Sequence, residues 1–498
     1  MASYFSALLT VLQPANFFPM VFCCVVGCIL GAIPGLSGGL GITLILPMTF
    51  ALTKEMSFSM LLGMYVGGIS GSFIAAVLVG IPGSASSIAT CYDGYPMTKN
   101  GKAGRALTIG IVGSFIGTFV SIIVATVAST LIADLALLLG PWEYFSLCLM
   151  AITMVVGLSK GSIYKGLLAA FIGLWMSTVG ADMVTNQLRF TFHNTNLYGG
   201  INVVCMLMGT FALQQVATGY AKGQQDMPEV DASGLKGFGL TIRDFIDNAK
   251  TIITSLLIGL GIGFLPGMGS GISNIMAYGQ AKKMSKEPEK FGTGVDAGVW
   301  ATEVANNAGV GGALIPLMAL GIPGDGTCVL LLSAMTIHGL TAGPMFIKQN
   351  PDLANLIFVA VALSAIFIFI VELLTKRWFP MLLKAPYHYL YGAILVICFM
   401  GAFSSTTSMF SVLLVLGFGV LGVVMDMFGM PNTPLMLAFI LGSKIESYFR
   451  MGCSYARGDL TSFVTRPISL IFILVAVYSV VGPIITKAIK NKKAAKSV

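Results

Sequence analysis

Four glycine–proline clusters interrupt apolar stretches of this chain, and they come as two pairs in the same order. The first pair is Gly31-Ala32-Ile33-Pro34-Gly35-Leu36-Ser37-Gly38-Gly39, then Gly80-Ile81-Pro82-Gly83-Ser84. The second is Gly263-Phe264-Leu265-Pro266-Gly267-Met268-Gly269-Ser270-Gly271, then Gly321-Ile322-Pro323-Gly324-Asp325. Pro34 and Pro266 are 232 residues apart (266−34), and Pro82 and Pro323 are 241 apart (323−82). Glycine and proline break helices. In a bilayer a break leaves backbone groups unpaired, which is tolerated only where it is buried in protein or lines a wet cavity. Breaks at corresponding positions of two halves point to the binding site of a transporter.

Composition places all four clusters in a membrane. Of the 498 residues, 56% are hydrophobic and 10% charged, where soluble chains carry about 25% charged residues. Apolar stretches such as 17–33, 106–132, 357–374, 392–403 and 468–485 recur along the length. The fold expected is an all-α polytopic membrane protein with about 10–12 transmembrane helices, each near the ~20 residues a bilayer requires. The net charge of +8 comes from Lys and Arg in short loops, without a basic run interleaved with aromatics. It is read as positive-inside topology and not as nucleic-acid binding. The tail with Lys487, Lys490, Lys492, Lys493 and Lys496 is therefore expected to be cytosolic. The first apolar span lacks a basic leader, so no cleaved signal peptide is expected. Nine scattered cysteines without a CxxC pair read as packing residues. His193, His338 and His388 are too dispersed for a transition-metal site.

The copies share more than prolines. Gly68-Ile69-Ser70-Gly71-Ser72 precedes the first Gly-Ile-Pro-Gly at the distance at which Gly309-Val310-Gly311-Gly312-Ala313 precedes the second. Loop charge sets their sense. In copy one the loop between clusters carries only Lys54 and Glu55, and the loop after the second cluster carries Lys99, Lys102 and Arg105. In copy two the basic loop lies between clusters, with Lys282, Lys283, Lys286 and Lys290. Cytosolic loops collect Lys and Arg, so the repeats are expected to be inverted, with broken helices or re-entrant hairpins. The division expected is an N-terminal repeat with scaffold helices over 1–220, a polar linker over 221–250, and a C-terminal repeat with scaffold helices and basic tail over 251–498. Lys376, Arg377 and Lys384, the stretch from Lys444 to Arg466, and the tail cannot alternate simply. A half-span or re-entrant piece over the Pro- and Gly-rich 429–443 would reconcile them.

At a broken helix the free N–H groups and positive dipole end make an anion site. Glycine lets the backbone approach a ligand, and small hydroxyls add hydrogen bonds. Candidate substrate-binding residues are Gly35, Ser37, Gly83, Ser84, Ser86, Ser87, Gly267, Ser270, Asn306, Asn307, Gly324 and Thr327. Candidate cation ligands are Ser70, Asn274, Asn306 and Asp325, which with freed carbonyls suit a hard cation such as sodium. Asp325 reads equally as a helix cap, and serines also serve packing in membranes. Asp93, Lys99, Lys102 and Arg105 are read as a solvated cytosolic loop, and Glu143 as interfacial. Glu446, Arg450, Arg457, Asp459 and Arg466 are read as a surface or docking region. No nucleophile–base–orienter set and no nucleotide-binding loop appears, so an enzyme is not expected and transport would run on an ion gradient.

The clusters over 31–41 and 263–271, the paired Gly-Ile-Pro-Gly, the stretch Glu303-Val304-Ala305-Asn306-Asn307-Ala308 and the late segment Glu446…Arg450…Gly458-Asp459…Arg466-Pro467 resemble the large membrane subunit of tripartite tricarboxylate transporters, the TctA family. The resemblance spans nearly the whole chain. It implies a secondary transporter of the bacterial inner membrane that imports a carboxylate such as citrate. Its implied partners are a small four-span membrane subunit (TctB-like) and a periplasmic solute-binding protein (TctC-like). It also implies coupling to sodium or protons, and by analogy an elevator-like mobile part against a scaffold. The alternative reading is a partner-independent ion-coupled carrier of organic anions or amino acids.

Overall fold

The computed structural model describes residues 2–158, 162–182, 185–223, 235, 238–383 and 387–494. Lys384, Lys496 and linker residues 224–234 and 236–237 lie outside them. The fold is all-α, with one two-stranded antiparallel hairpin, Gly180–Ala181 with Leu188–Arg189, among the described residues. Among the described residues eight helices are long and apolar enough to cross a membrane, and six apolar helices are shorter. The chain is a multi-pass membrane protein.

Each copy of the repeat is long helix, break, half-length helix, long helix, break, half-length helix. Copy one is α1 (Pro14–Ala32), α2 (Gly38–Ile45), α3 (Lys54–Gly71) and α4 (Thr90–Lys99), followed by the 34-residue α5 (Ala103–Ala136). Copy two is α6 (Ile242–Phe264), α7 (Gly269–Met284), α8 (Asp296–Leu320) and α9 (Gly326–Ile337), followed by α10 (Pro351–Thr375). Residues 242–250 of the expected linker are already the first turns of α6.

The breaks repeat residue by residue. α1 ends where Ile33, before Pro34, turns to extended backbone (φ −84°, ψ 121°), and Gly35 takes φ +87°. α6 ends at Leu265, before Pro266, with φ −80° and ψ 123°, and Gly267 takes φ +75°. A residue before proline avoids the helical region, and the positive φ that follows suits glycine. The second breaks use Gly80 (φ +72°) and Gly321 (φ +71°).

The crossing of long helices repeats as well. A Cβ on Gly27 would lie 2.5 Å from Met64 O, and one on Gly259 would lie 2.5 Å from Ala305 O. Gly31 and Gly263 back in the same way onto the carbonyls of Gly68 and Gly309. The offsets are those of the prolines: 259−27 and 263−31 are 232, and 305−64 and 309−68 are 241. Small residues that let backbones touch are the usual device for packing helices in lipid.

The chain forms two compact units, each drawn from both halves of the sequence. One is 1–133 with 212–407, and the other is 134–211 with 408–498. All four breaks lie in the first. In the second, Asn432–Tyr455 is a single 24-residue helix, which replaces the half-span expected over 429–443. Asp182, Arg189, Glu446 and Arg450 close an ion cluster there. Arg189 reaches Asp182 at 3.2 Å and Glu446 at 2.8 Å, and Arg450 reaches the same two at 2.8 and 2.5 Å. Glu143 is buried, accepts the Gly140 N–H at 2.9 Å and pairs with Arg466 at 3.1 Å. Arg466 also lies 4.0 Å over the Trp142 ring. Glu446 and Arg450 are thus half-buried fasteners within the unit, and Arg466, itself exposed as expected, fastens the buried Glu143. Glu143 and Arg466 stand 323 positions apart, and Arg189 and Glu446 257, so these pairings could not be seen in the sequence. Asp459 is exposed, and hydrogen bonds from Thr461 hold its carboxyl below the usual carboxylate range.

Candidate functional site

The four breaks meet crosswise. The start of α2 approaches the start of α9: a Cβ on Gly39 would lie 3.7 Å from Ser37 Oγ and 3.9 Å from Thr327 Oγ1. The start of α7 approaches the second break of copy one, with a Cβ on Gly271 3.3 Å from Ala85 O. Within copy two, the Gly267 N–H donates to Gly324 O at 2.8 Å. Gly83 and Gly324 are glycines for a steric reason. A Cβ on Gly83 would enter the carbonyls of Gly31 and Ser72, and one on Gly324 would lie 2.5 Å from Gly263 O.

Ser37 caps α2, accepting the Leu40 N–H at 3.2 Å. Gly35 O accepts Gln215 Nε2 at 2.7 Å. Ser84, Ser86 and Ser87 form their own small network, with Ser84 Oγ and Ser86 Oγ 2.6 Å apart and Ser87 Oγ donating to Ser84 O at 3.1 Å. Ser270 sits at the first turn of α7, its carbonyl accepting Ser273 Oγ at 2.9 Å. Asp325 caps α9 by accepting the Cys328 N–H at 2.6 Å, and its second oxygen accepts Tyr65 Oη at 2.7 Å. That bond ties copy two's break to copy one's long helix.

The adjacent amides part company. Asn307 donates to Ser114 Oγ at 2.9 Å and Glu303 O at 3.1 Å, and accepts Thr118 Oγ1 at 3.3 Å. Asn306 is fully buried, and neither its nitrogen nor its oxygen meets a hydrogen-bond partner. The Glu303 carboxylate is close enough to interact with it, short of hydrogen-bond geometry. An orphaned buried amide is costly, so Asn306 is the candidate whose polar atoms stand ready for a ligand. Asn274 is engaged on both atoms: Oδ1 accepts the Ala89 N–H at 2.9 Å, and Nδ2 donates to Thr90 Oγ1 and Thr302 O at 3.3 and 3.2 Å. Ser70 donates to Glu372 at 3.1 Å.

Three buried carboxyl groups stand beside these residues. Glu303 accepts Thr90 Oγ1 at 2.5 Å and Ser114 Oγ at 3.4 Å. Glu372 accepts Ser70. Asp93 accepts the N–H groups of Gly292, Gly294 and Val295 at 2.8–3.0 Å and Tyr278 Oη at 2.9 Å. Asp93 is 1% exposed, which corrects its expected place in a solvated loop. Arg105 likewise leaves that loop to pair with Asp244 and Asp296. Glu303 and Glu372 carried a readable signal: each is a lone carboxylate in an apolar helical run, which in a membrane marks function by default.

Residues 17–437 match the tripartite tricarboxylate transporter TctA family. A 52.8 kDa protein of Agrobacterium vitis from the TAR-I ttuC′ 3′ region is 34% identical over 412 residues, 82% of each chain. A second, from the TAR-II ttuC′ 3′ region of the same organism, is 35% identical over 209 residues, 42% of this chain and 86% of that one. No solved structure matches. The chain belongs to the TctA family of tripartite tricarboxylate transporters.

Proposed function

We propose that this chain is the permease subunit of a binding-protein-dependent secondary transporter whose import of tricarboxylates or related carboxylates is coupled to a sodium or proton gradient. The observation that carries the reading is the crosswise approach of four broken helices, two from each copy, with Asn306 of α8 buried and unpartnered. A polyanion crossing a bilayer needs concentrated donors and dipole ends without a permanent excess of buried cations. Broken-helix termini supply these, and a co-bound cation would balance the remaining charge. The substrate carboxylates would engage Ser37, Ser84, Ser86, Ser87, Ser270, Asn306 and Thr327. The backbone at Gly35, Gly83, Gly267 and Gly324 would give close approach. Asn307 and Asn274 would hold that frame. Sodium, where it is the coupling ion, would take oxygens near Asn306 and Asp325.

The sequence halves 1–220 and 251–498 would be the inverted repeats, and the compact unit that holds every break would be the mobile part of an elevator. The setting would be the bacterial inner membrane, with the tail in the cytosol, a small four-span subunit beside the chain and a periplasmic binding protein delivering substrate. The test is uptake of labelled citrate into proteoliposomes holding this chain and its small partner, with the binding protein added and an inward sodium or proton gradient imposed. Uptake that needs both binding protein and gradient is expected. Another carboxylate moved under the same requirements would change the substrate alone. Transport indifferent to the binding protein would leave a partner-independent organic-anion or amino-acid carrier.

A further inference from the structure

Glu372 is at none of the four breaks, yet it lies in α10, within a span of mean hydropathy 2.9, and is 1% exposed. Its surroundings are specific. From α3, Ser70 Oγ donates to Oε2 at 3.1 Å. From α1, Cys28 Sγ lies 3.4 Å from Oε1, while Cys24 donates to Ser364 O at 3.7 Å. From α8, the nearest titratable group is another acid, Glu303, close enough to interact electrostatically. Just past the end of α10, Lys376 follows one turn later, and its ammonium donates to Thr108 Oγ1 of α5 at 2.9 Å. Among the described residues no Lys, Arg or His stands within ion-pair distance of Glu372.

Ser70 opens onto a narrow cavity without room for a water molecule, whose other lining is apolar (Val66, Ile111, Phe115, Ile368 and Phe369 among it) except for the hydroxyls of Ser114 and Thr118. A bare carboxylate here would be a buried charge with neither countercharge nor water, which proteins do not sustain. A metal cation is a poor remedy. Hard cations take roughly six or more oxygens, and the carboxyl group has only its own pair and Ser70 Oγ, with a sulfur beside them, while the cavity's two further hydroxyls, on Ser114 and Thr118, are spent on Glu303 and Asn307. A proton meets the requirement with no further ligand.

We propose that Glu372 is a proton-binding site of this carrier, neutral in the conformation described here, and the position at which a coupling proton is taken up and released. The inference rests on the transport reading above and names an ion and a residue for it. The step moves one proton: the carboxyl O–H bond breaks on release to water, when movement of the unit wets the cavity, and re-forms on uptake. No co-reactant is required. The geometry also supplies a connection to the breaks. Ser114, on the other side of the same cavity, donates to Glu303, and Glu303 holds Thr90, which accepts Asn274 three residues beyond Ser87. Charge appearing at Glu372 acts on a second carboxyl fastened to the start of α4.

Glu372→Gln keeps shape and neutrality but cannot titrate. The first measurement is the infrared difference between the purified parent and Glu372→Gln in lipid at neutral pH, which needs neither substrate nor partners. Loss of a protonated-carboxyl C=O band is expected. Loss of carboxylate bands instead would overturn the proposal. The second uses proteoliposomes with the small partner, binding protein and labelled citrate. Citrate exchange at equal pH on both sides should survive in Glu372→Gln, while uptake driven by an inward proton gradient and the accompanying lumenal acidification should be lost. Gradient-driven uptake unchanged in the variant would overturn the proposal. A parent that moves no citrate would count against the transport reading alone, and the infrared result would still decide the proton. Should Glu372→Gln fail to fold, Ser70→Ala keeps the carboxyl and removes its donor. The C=O band should then persist and shift, and its absence from both parent and Ser70→Ala would sink the idea.

Discussion

Asn306 and Asn307 share a helix and a side chain, yet they sit in different chemistry. Asn307 spends its amide on Ser114, Thr118 and a backbone carbonyl, so Asn307→Ala should lower stability by about 1–3 kcal/mol, the cost of orphaning buried partners. Asn306 has no such partners to orphan. Asn306→Ala should therefore melt at the parent's temperature or above it, while carboxylate uptake is lost. Thermal unfolding in detergent, paired with uptake in proteoliposomes, separates the two. An Asn306→Ala that unfolds early and transports normally would return Asn306 to packing. The sequence could show that two amides in an apolar helix need an explanation. It could not show which one finds it inside the fold, because the deciding hydroxyls lie on a helix nearly 200 positions away. The same distance hid Asp93, whose basic neighbours Lys99, Lys102 and Arg105 suggested solvent while its carboxylate was destined for three N–H groups of the loop before α8.

At the scale of elements, the glycine pattern was the most legible part of the chain. The two break pairs, their order and their offsets are written in the sequence, and the structure reuses the same offsets at the helix crossings. What the letters did not reveal was which glycines carry contact. Gly259 and Gly261 lie on one helix, two residues apart. A Cβ at 259 would press on Ala305 O at 2.5 Å, and a Cβ at 261 would meet nothing within 4 Å. Gly259→Ala should push α6 from α8 and destabilise the fold by about 1–3 kcal/mol, as overpacked sites do. Gly261→Ala should be neutral or stabilising by up to about 1 kcal/mol, from helix propensity. Comparable melting of both variants would show that the crossing is loose. Periodicity could not see this difference, because both positions are simply small residues in an apolar helix. Loop charge and proline content also misled at 429–443. Pro431 and Pro434 looked like an interruption, but both stand at the very start of Asn432–Tyr455, where a missing N–H costs a helix nothing.

At the scale of the molecule, the feature to explain is that every break falls in one compact unit while the other holds none. That distribution is what a carrier needs if its site travels as a body and is not pried open between halves. Cys91 is a native reporter of the difference. It follows Thr90 at the start of α4, with its sulfur 3.8 Å from Ser87 O. It and Cys453 are half-buried, while the other seven thiols are buried. In a Cys453→Ser background, a membrane-impermeant maleimide therefore reports on Cys91 with little interference. If the unit carries its breaks from one face of the membrane to the other, reagent applied to either side of oriented vesicles, in separate experiments, should reach Cys91. Saturating carboxylate should slow labelling from both sides, because substrate against Ser84, Ser86 and Ser87 covers the approach. Labelling from a single side, whatever gradient is imposed, would confine the breaks to that side and remove the moving-unit reading. It would leave the fold, the duplicated breaks and the unpartnered Asn306 as they stand.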